Sequence, residues 1–353
     1  MLTAEFSVER DDFVVHCDMR LRPGHVVAIV GPNGAGKTTV MRALAGLELL
    51  ESGRIVVNEE TWDDFDRGIS REPAKRSTAL VLADPLLFPH LSIRRNVGFG
   101  LRAHGQSQSA ADAAADTWLA SVGLADFGDR RPSALSTGQQ QRASLVRALA
   151  VTPQLLLLDE PLSAQDPSTR ATMRSELKKL LDGFEGMAVL VTHDPLDALT
   201  LADELIVMDR GTIAQSGTPD ELVRRPASTF VAQLMGLNLL QGDALDQTVT
   251  LSGGGCLHVA DKHSGQVRLA FPPHAVTLSA AESTPSVTSS ARNRWQATVE
   301  DLQPFYGRVR VTVSGPPTVV AEITPGAVAE LALSVGDQVG VAVKAAEIEV
   351  YPA

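Results

Sequence analysis

Gly31-Pro32-Asn33-Gly34-Ala35-Gly36-Lys37-Thr38-Thr39 matches G-x-x-x-x-G-K-[ST] and lies between two apolar segments of different period. Before it, Val26-Val27-Ala28-Ile29-Val30 reads as a buried strand. After it, Val40-Met41-Arg42-Ala43-Leu44-Ala45 carries helix formers at helical apolar spacing. Strand, glycine loop and helix together predict a phosphate-binding loop, because that context lets several backbone N–H groups point into one concavity. The positive end of the following helix adds to the attraction for anions. Lys37 supplies a mobile cation for β and γ phosphates, and the hydroxyl of Thr38 suits Mg²⁺.

On the N-terminal side, Ala4–Val8 and Phe13–Cys17 alternate apolar and polar residues and predict an antiparallel hairpin turning at Arg10-Asp11-Asp12. Phe13 is a candidate to stack on a nucleotide base, or else a core residue. On the C-terminal side, strands are predicted at 54–58 and 79–82, followed by the apolar, proline-rich loop Asp84–Leu91, which reads as core filling or a docking surface. Residues 106–120 read as a helix. Leu135-Ser136-Thr137-Gly138-Gln139 then opens a helix over 140–150, with Ser136 as N-cap and Gly138 allowing close approach of an anion. Leu155–Leu158 is a fully apolar strand with Asp159-Glu160 at its C-terminal edge, where open parallel sheets bind ligands. A helix over 171–181, a strand over 188–191 ending in Thr192-His193-Asp194, a helix over 195–202 and strands at 205–208 and 212–215 complete an α/β alternation.

Beyond about residue 232 the helical signal gives way to short strands at 248–251, 256–259, 267–271, 295–302, 308–313, 318–323 and 338–343. Glycine turns separate them, and residues 281–292, rich in serine, threonine and proline, read as a linker. The pattern predicts an all-β, OB-like second domain over 233–353 after an α/β domain over 1–232.

The chain has 353 residues and a formal net charge of -11, which argues against general binding of nucleic acid. Two cysteines, Cys17 and Cys256, form neither a disulfide framework nor a zinc spacing and fit a reducing compartment. No secretory signal is expected at the N-terminus, and no apolar run is long enough to span a bilayer. Work at a membrane would therefore proceed by docking.

A carboxylate pair at a strand end facing a phosphate loop divides naturally into two roles. Asp159 is the candidate to hold Mg²⁺, and Glu160 the candidate to activate an attacking water. His193, at a neighbouring strand end, is placed to sense the γ-phosphate.

With these residues assembled, the chain resembles the nucleotide-binding subunits of ABC transporters over residues 1–232. Walker A is Gly31 to Thr38, the signature is Leu135 to Gln139, and Walker B is Leu155 to Asp159, followed by Glu160. The D-loop is Ser163-Ala164-Gln165-Asp166, and His193 is the switch histidine. No Asn-Lys-x-Asp guanine-reading motif occurs, which counts against a GTPase. The resemblance implies ATP and Mg²⁺ as cofactors, integral-membrane permease subunits and, indirectly, an extracytoplasmic solute-binding protein as partners. It also implies peripheral attachment to the cytoplasmic face of the plasma membrane. It further implies a head-to-tail homodimer, in which Ser136, Gly138 and Gln139 of one copy complete the ATP site of the other.

Three residues depart from the family pattern: Ala83 in place of a glutamine, Thr137 in place of a glycine, and Gln165 in place of a leucine. They raise the alternative of a poorly hydrolysing nucleotide-binding regulator. Asp84, next to Ala83, is the candidate to hold a compensating water.

Over 237–353 the chain resembles TOBE and Mop domains. Asn293–Val299 opens the resemblance, and Leu333–Val339 with Val343–Ile348 closes it. Phe271–Val276 is also similar to molybdate importer ATPases. Molybdate or a related oxyanion is the implied solute, with sulfate, iron or a sugar as alternatives. Lys344 is a candidate to bind an oxyanion at this domain, or an ordinary surface lysine.

Overall fold

The computed structural model describes residues 1–10, 13–163, 167–281, 291–305 and 307–353. The side chains of Pro167 and Ser168 also lie outside the description, as do the hairpin turn at residues 11–12, D-loop residues 164–166 and most of the 281–292 linker. The chain divides into two compact units, Met1–Pro219 and Asp220–Ala353.

In the first unit, β1 (Leu2–Arg10) and β2 (Phe13–Leu21) pair antiparallel, Leu2 opposite Leu21 and Arg10 opposite Phe13. Alternate side chains are buried along β2, Val15, Cys17, Met19 and Leu21, as the period of two requires. β3 (Val26–Val30) is buried at every residue, the mark of a strand covered on both faces. α1 (Lys37–Leu44) follows the glycine loop. β4 (Ser52–Val57), β5 (Glu60–Asp64) and β6 (Ile69–Ser70) complete an antiparallel sheet ordered β2-β1-β4-β5-β6. β7 (Thr78–Val81) leads into the helices α2 (Ile93–Val97), α3 (Phe99–Ala103), α4 (Gln108–Ser121) and α5 (Thr137–Ala150). Then come β8 (Leu155–Asp159), α6 (Pro167–Asp182), β9 (Met187–Val191), α7 (Pro195–Leu201), β10 (Glu204–Asp209) and β11 (Thr212–Gly217).

The second sheet runs β11-β10-β3-β9-β8-β7, parallel throughout except for the β10–β11 pair. Parallel pairing puts the C-terminal ends of β3, β7, β8 and β9 on one edge, so the glycine loop, Ala83, Asp159-Glu160 and His193 all leave the sheet on the same side. One core joins the two sheets through α1, with Val40, Met41 and Leu44 packed among Leu2, Ile29 and Trp62. A separate core, including Ile93, Val97, Ala115, Leu119 and Val146, holds α2, α4 and α5 together.

Arg76 ties α1 to the antiparallel sheet. Its Nη2 lies 2.6 Å from Asp63 Oδ2, and its Nη1 donates to the carbonyls of Ala43 (3.2 Å) and Leu44 (3.3 Å). A cation at these last-turn carbonyls satisfies groups the helix leaves open and complements its dipole. Burial pushes the Asp63 carboxyl up and the Arg76 guanidinium down from their ordinary ranges, and each opposes the other's shift.

The second unit begins with α8 (Pro219–Arg224) and α9 (Thr229–Leu234). β12 (Asn238–Leu251), β13 (Cys256–Phe271), β14 (Val276–Ala280), β15 (Asn293–Phe305), β16 (Arg308–Ser314) and β17 (Val319–Ile323) follow. α10 (Pro325–Glu330), β18 (Gln338–Val343) and β19 (Glu349–Pro352) end the chain. Two antiparallel sheets, β12-β13-β19 and β14-β18-β15-β16-β17, share one core. Two buried asparagines join the sheets by mimicking a strand edge. Asn238 accepts from Val320 N (2.7 Å) and donates to Val320 O (2.9 Å); Asn293 does the same with His258 N (2.6 Å) and O (2.9 Å). The strands expected at 256–259 and 267–271 are one continuous β13. Residues 260–266 between them are polar or small and exposed or half-exposed, so no apolar alternation marks them as strand.

Candidate active site

The glycine loop is shaped by close approach. A Cβ on Gly31 would sit 2.2 Å from the Met208 carbonyl oxygen. Gly36 has φ +100° and a Cβ there would meet Val15 at 2.7 Å. Gly36 is also the N-cap of α1 and has no side chain to cap it, so the first N–H groups of the helix stay free for an anion. Lys37 is buried, and its Nζ donates to the carbonyls of Gly31 and Pro32, both at 2.8 Å. Pro32, Asn33, Gly34 and Thr38 are exposed, while Ala35 and Thr39 are buried.

Asp159 ends β8, and Glu160 turns the chain away with φ +50°. That left-handed turn is held by Glu160 N donating to Val191 O (2.9 Å) and by Ser163 Oγ donating to Glu160 O (2.9 Å). Burial and the neighbouring Glu160 push the Asp159 carboxyl up, opposed by Lys37. Burial pulls the Lys37 ammonium down, opposed by Glu160 and Asp159. Lys37 is thus set against two carboxylates, Asp159 and Glu160.

A cavity of about 490 Å³ brings together residues 33–39, Phe13, Ala83, Asp159 and Glu160, with Arg10 and Val191. His193 is reached through Glu160: its Nδ1 lies 2.8 Å from Glu160 Oε2, close in distance but not aligned as a hydrogen bond. Ser136, Gly138 and Gln139 do not line this cavity. Ser136 and Gln139 form a capping box at the start of α5 instead, Ser136 Oγ accepting from Gln139 N (3.3 Å) and Gln139 Oε1 accepting from Ser136 N (2.9 Å). The expected N-cap is therefore present, on the exposed end of α5.

Arg10 is a cavity residue that the sequence did not single out; only its place beside Phe13, across the hairpin turn, pointed to it. The grip of α5 on the loop after Ala83 was also missed. Gln141 donates to Leu82 O (3.4 Å), Ser144 to Pro85 O (2.9 Å) and Arg147 to Pro85 O (3.1 Å) and Leu86 O (2.9 Å). These residues recur every three positions on one helix face, a spacing that marks a contact but not its partner. Asp84 is exposed, and its Oδ1 accepts from Leu86 N (3.4 Å); it is not among the cavity residues. Lys344 is exposed just after β18, at the N-cap of the short 3-10 turn Ala345–Glu347.

Fold and site define a P-loop nucleoside triphosphatase with a cassette-type signature helix. Residues 14–163 match the model of the ABC transporter family, and residues 289–350 that of the TOBE domain. The chain is 36% identical over 343 residues to the molybdenum import ATP-binding protein ModC of Mycobacterium tuberculosis, covering 94% of this chain and 92% of that protein. It is 41% identical over 271 residues to the Fe(3+) ions import ATP-binding protein FbpC of Agrobacterium fabrum, covering 74% and 75%. It is 40% identical over 255 residues to the sn-glycerol-3-phosphate import ATP-binding protein UgpC of Jannaschia sp., covering 71% of each. Among solved structures, cbiO1 from Clostridium perfringens, part of the ABC transporter complex cbiONQ, superposes with a TM-score of 0.56 at 26% identity, over 64% of this chain and 91% of that one. The ATP-binding cassette MJ0796, a dimer bound to ADP and Pi, gives 0.52 at 25%, over 62% and 99%. The chain belongs to the ABC transporter family, as an ATP-binding, ATP-hydrolysing importer subunit with a C-terminal TOBE domain.

Proposed function

We propose that this ATPase powers import of molybdate or a related oxyanion through a separate membrane permease. One observation carries the solute assignment. Among the relatives named above, the iron and glycerol-phosphate proteins align with 74% and 71% of this chain, whereas the molybdenum protein aligns with 94%. Kinship thus extends through the C-terminal unit, which cassettes for different solutes need not share.

In this reading Lys37 and the N–H groups of the glycine loop hold the β and γ phosphates of ATP. Glu160 takes the proton of the attacking water, and His193 approaches the γ-phosphate from the end of β9. Thr38 and Asp159 offer a hydroxyl and a carboxylate oxygen within one cavity, and that hard-oxygen donor set fits Mg²⁺. When bound, Mg²⁺ offsets charge on the phosphate oxygens. Ser136, Gly138 and Gln139, exposed or half-exposed at the tip of α5 and outside their own chain's cavity, complete the site of a second copy in a two-fold dimer. The unit boundary for function is taken near residue 232, with 233–353 as the regulatory domain. Lys344 would contact an oxyanion there, which equilibrium dialysis of the full chain against molybdate would detect.

Among the described residues no helix is long and apolar enough to cross a membrane. In this reading attachment to the cytoplasmic face runs through the permease, and the dock is the loop Asp84–Leu91. Leu86 there is 57% exposed, and Phe88 packs 4.5 Å from Phe99, itself 47% exposed. Phe88→Asp is expected to abolish co-purification with the permease while the isolated subunit stays folded; intact co-purification places the dock elsewhere. For the solute, ATP hydrolysis is measured in vesicles holding the chain, the permease and the binding protein encoded beside it. Stimulation by molybdate is expected; stimulation by iron, a sugar or glycerol 3-phosphate alone would reassign it.

A further inference from the structure

His193 is set on a short turn between β9 and α7, and its side chain is 56% exposed. Few contacts hold the ring itself, so its position depends on what fixes the backbone of the turn. Thr192 is buried and its Oγ1 accepts from Asp194 N at 3.1 Å. Asp194 caps α7, its Oδ1 accepting from Leu196 N at 2.8 Å.

Behind this turn lies a cluster of four charges. Arg170 and Arg174 stand one turn apart on α6, and Asp194 and Asp197 stand at the start of α7. Asp197, 2% exposed, receives both guanidinium groups. Arg170 donates to its Oδ2 through Nε (3.1 Å) and Nη2 (2.5 Å). Arg174 reaches its Oδ1 through Nε (2.6 Å) and Nη2 (2.6 Å). Arg170 Nη2 also lies 3.2 Å from Asp194 Oδ2, and Arg174 Nη2 lies 3.9 Å from it. Two planar forks on one carboxylate fix direction as well as distance. A well-packed apolar contact would join two helices at least as firmly as a buried ion network. What the network adds is orientation, and it adds it at the residue adjoining His193.

We propose that Arg170, Arg174 and Asp197 are positioning residues for hydrolysis. They lock α7 and its N-cap Asp194 onto α6, and so hold His193 at the distance from Glu160 at which it meets the γ-phosphate. The proposal rests on the reading of His193 given above. It assigns no substrate contact to the four charged residues.

The test uses the full chain and measures ATP turnover, ATP affinity and thermal unfolding for Asp197→Asn, Arg174→Gln, Arg174→Lys, His193→Ala and the double variant Asp197→Asn/His193→Ala. Asp197→Asn and Arg174→Gln are expected to lower kcat about 10- to 100-fold, the scale on which a displaced catalytic group is felt. ATP affinity should stay within about twofold of the parent, since the glycine loop is untouched. Arg174→Lys, which keeps the charge but not the fork, should recover part of the loss. The double variant should be no slower than His193→Ala, because both changes act through one group. Losses that add in the double variant, or that track unfolding temperature and ATP affinity together, overturn the proposal alone. Parent-level turnover in His193→Ala overturns the reading of His193 and the proposal with it. Should Asp197→Asn not fold, the pair Arg174→Gln and Arg174→Lys decides: equal kcat in the two, at the parent's value, is the contrary result.

Discussion

Among the described residues, the cassette unit buries four charged side chains, Lys37, Asp63, Arg76 and Asp197, beside neutral ones such as Asn96 and Gln141; in the C-terminal unit the buried polar residues are two neutral amides, Asn238 and Asn293. Both units bury ample apolar surface, so the need for a core does not explain the difference. Its distribution does. Lys37 stands at the N-terminal end of α1, and Arg76 with Asp63 at its C-terminal end. Asp197 stands behind His193. Burying a charge costs several kcal/mol unless it is paired and hydrogen-bonded. Lys37 and Asp197 incur that cost at the sheet edge that carries the site, and Arg76 with Asp63 incurs it at the far end of the helix that follows the glycine loop. The C-terminal unit joins its two sheets with two uncharged side-chain amides, each bonded to the N–H and C=O of one residue on the other sheet.

Breaking the Arg76–Asp63 pair should have the largest effect on stability. Arg76→Met leaves Asp63 buried without its partner and is expected to lose about 3–5 kcal/mol in denaturant unfolding. A loss near that of an exposed ion pair would mean that Asp63 finds solvent, and the contrast between the units would weaken. Lys37→Ala separates function from stability. ATP binding should weaken by about 1.5–3 kcal/mol, roughly 10- to 100-fold, as a charged contact to phosphate goes, with the fold retained. Unchanged affinity would reject the phosphate-loop assignment. Asn293→Ala, in the other unit, leaves the N–H and C=O of His258 unpaired and should cost about 1–3 kcal/mol of stability. Turnover of ATP per folded molecule should stay at the parent's value; a fall would show that the C-terminal unit acts on the chemistry.

Much of the cassette is legible in the sequence because its chemistry is written in contiguous stretches. The glycine loop needs Gly31, Gly34 and Gly36 at fixed positions before Lys37, and Asp159-Glu160 must follow a strand, so spacing alone locates them. The sheet order could not be read this way, since which strands neighbour β3 depends on contacts between distant residues. Arg76 was overlooked for a similar reason. It precedes an expected strand without any motif, and its partners, Asp63 and the carbonyls of Ala43 and Leu44, lie 13 to 33 positions away. Helices α2 and α3, with five residues each, are too short to show a period. In the C-terminal unit, alternation found parts of most long strands. It missed residues 238–247 of β12 and the middle of β13, where apolar side chains are sparse, and the short β14 and β19, which are fixed by their pairing with β18 and β13.

The central claim is that one chain holds the water-activating carboxylate and the phosphate loop, and that a second copy must close the site. The most direct measurement is the solution mass of Glu160→Gln with ATP and with ADP, alongside its hydrolysis rate. The amide keeps the shape of Glu160 but takes no proton, so hydrolysis should fall at least about 100-fold. With ATP the mass should be twice the 37.5 kDa of the chain, and with ADP it should be that of a single chain. Parent-like hydrolysis, or a single-chain mass in both nucleotides, would contradict the account.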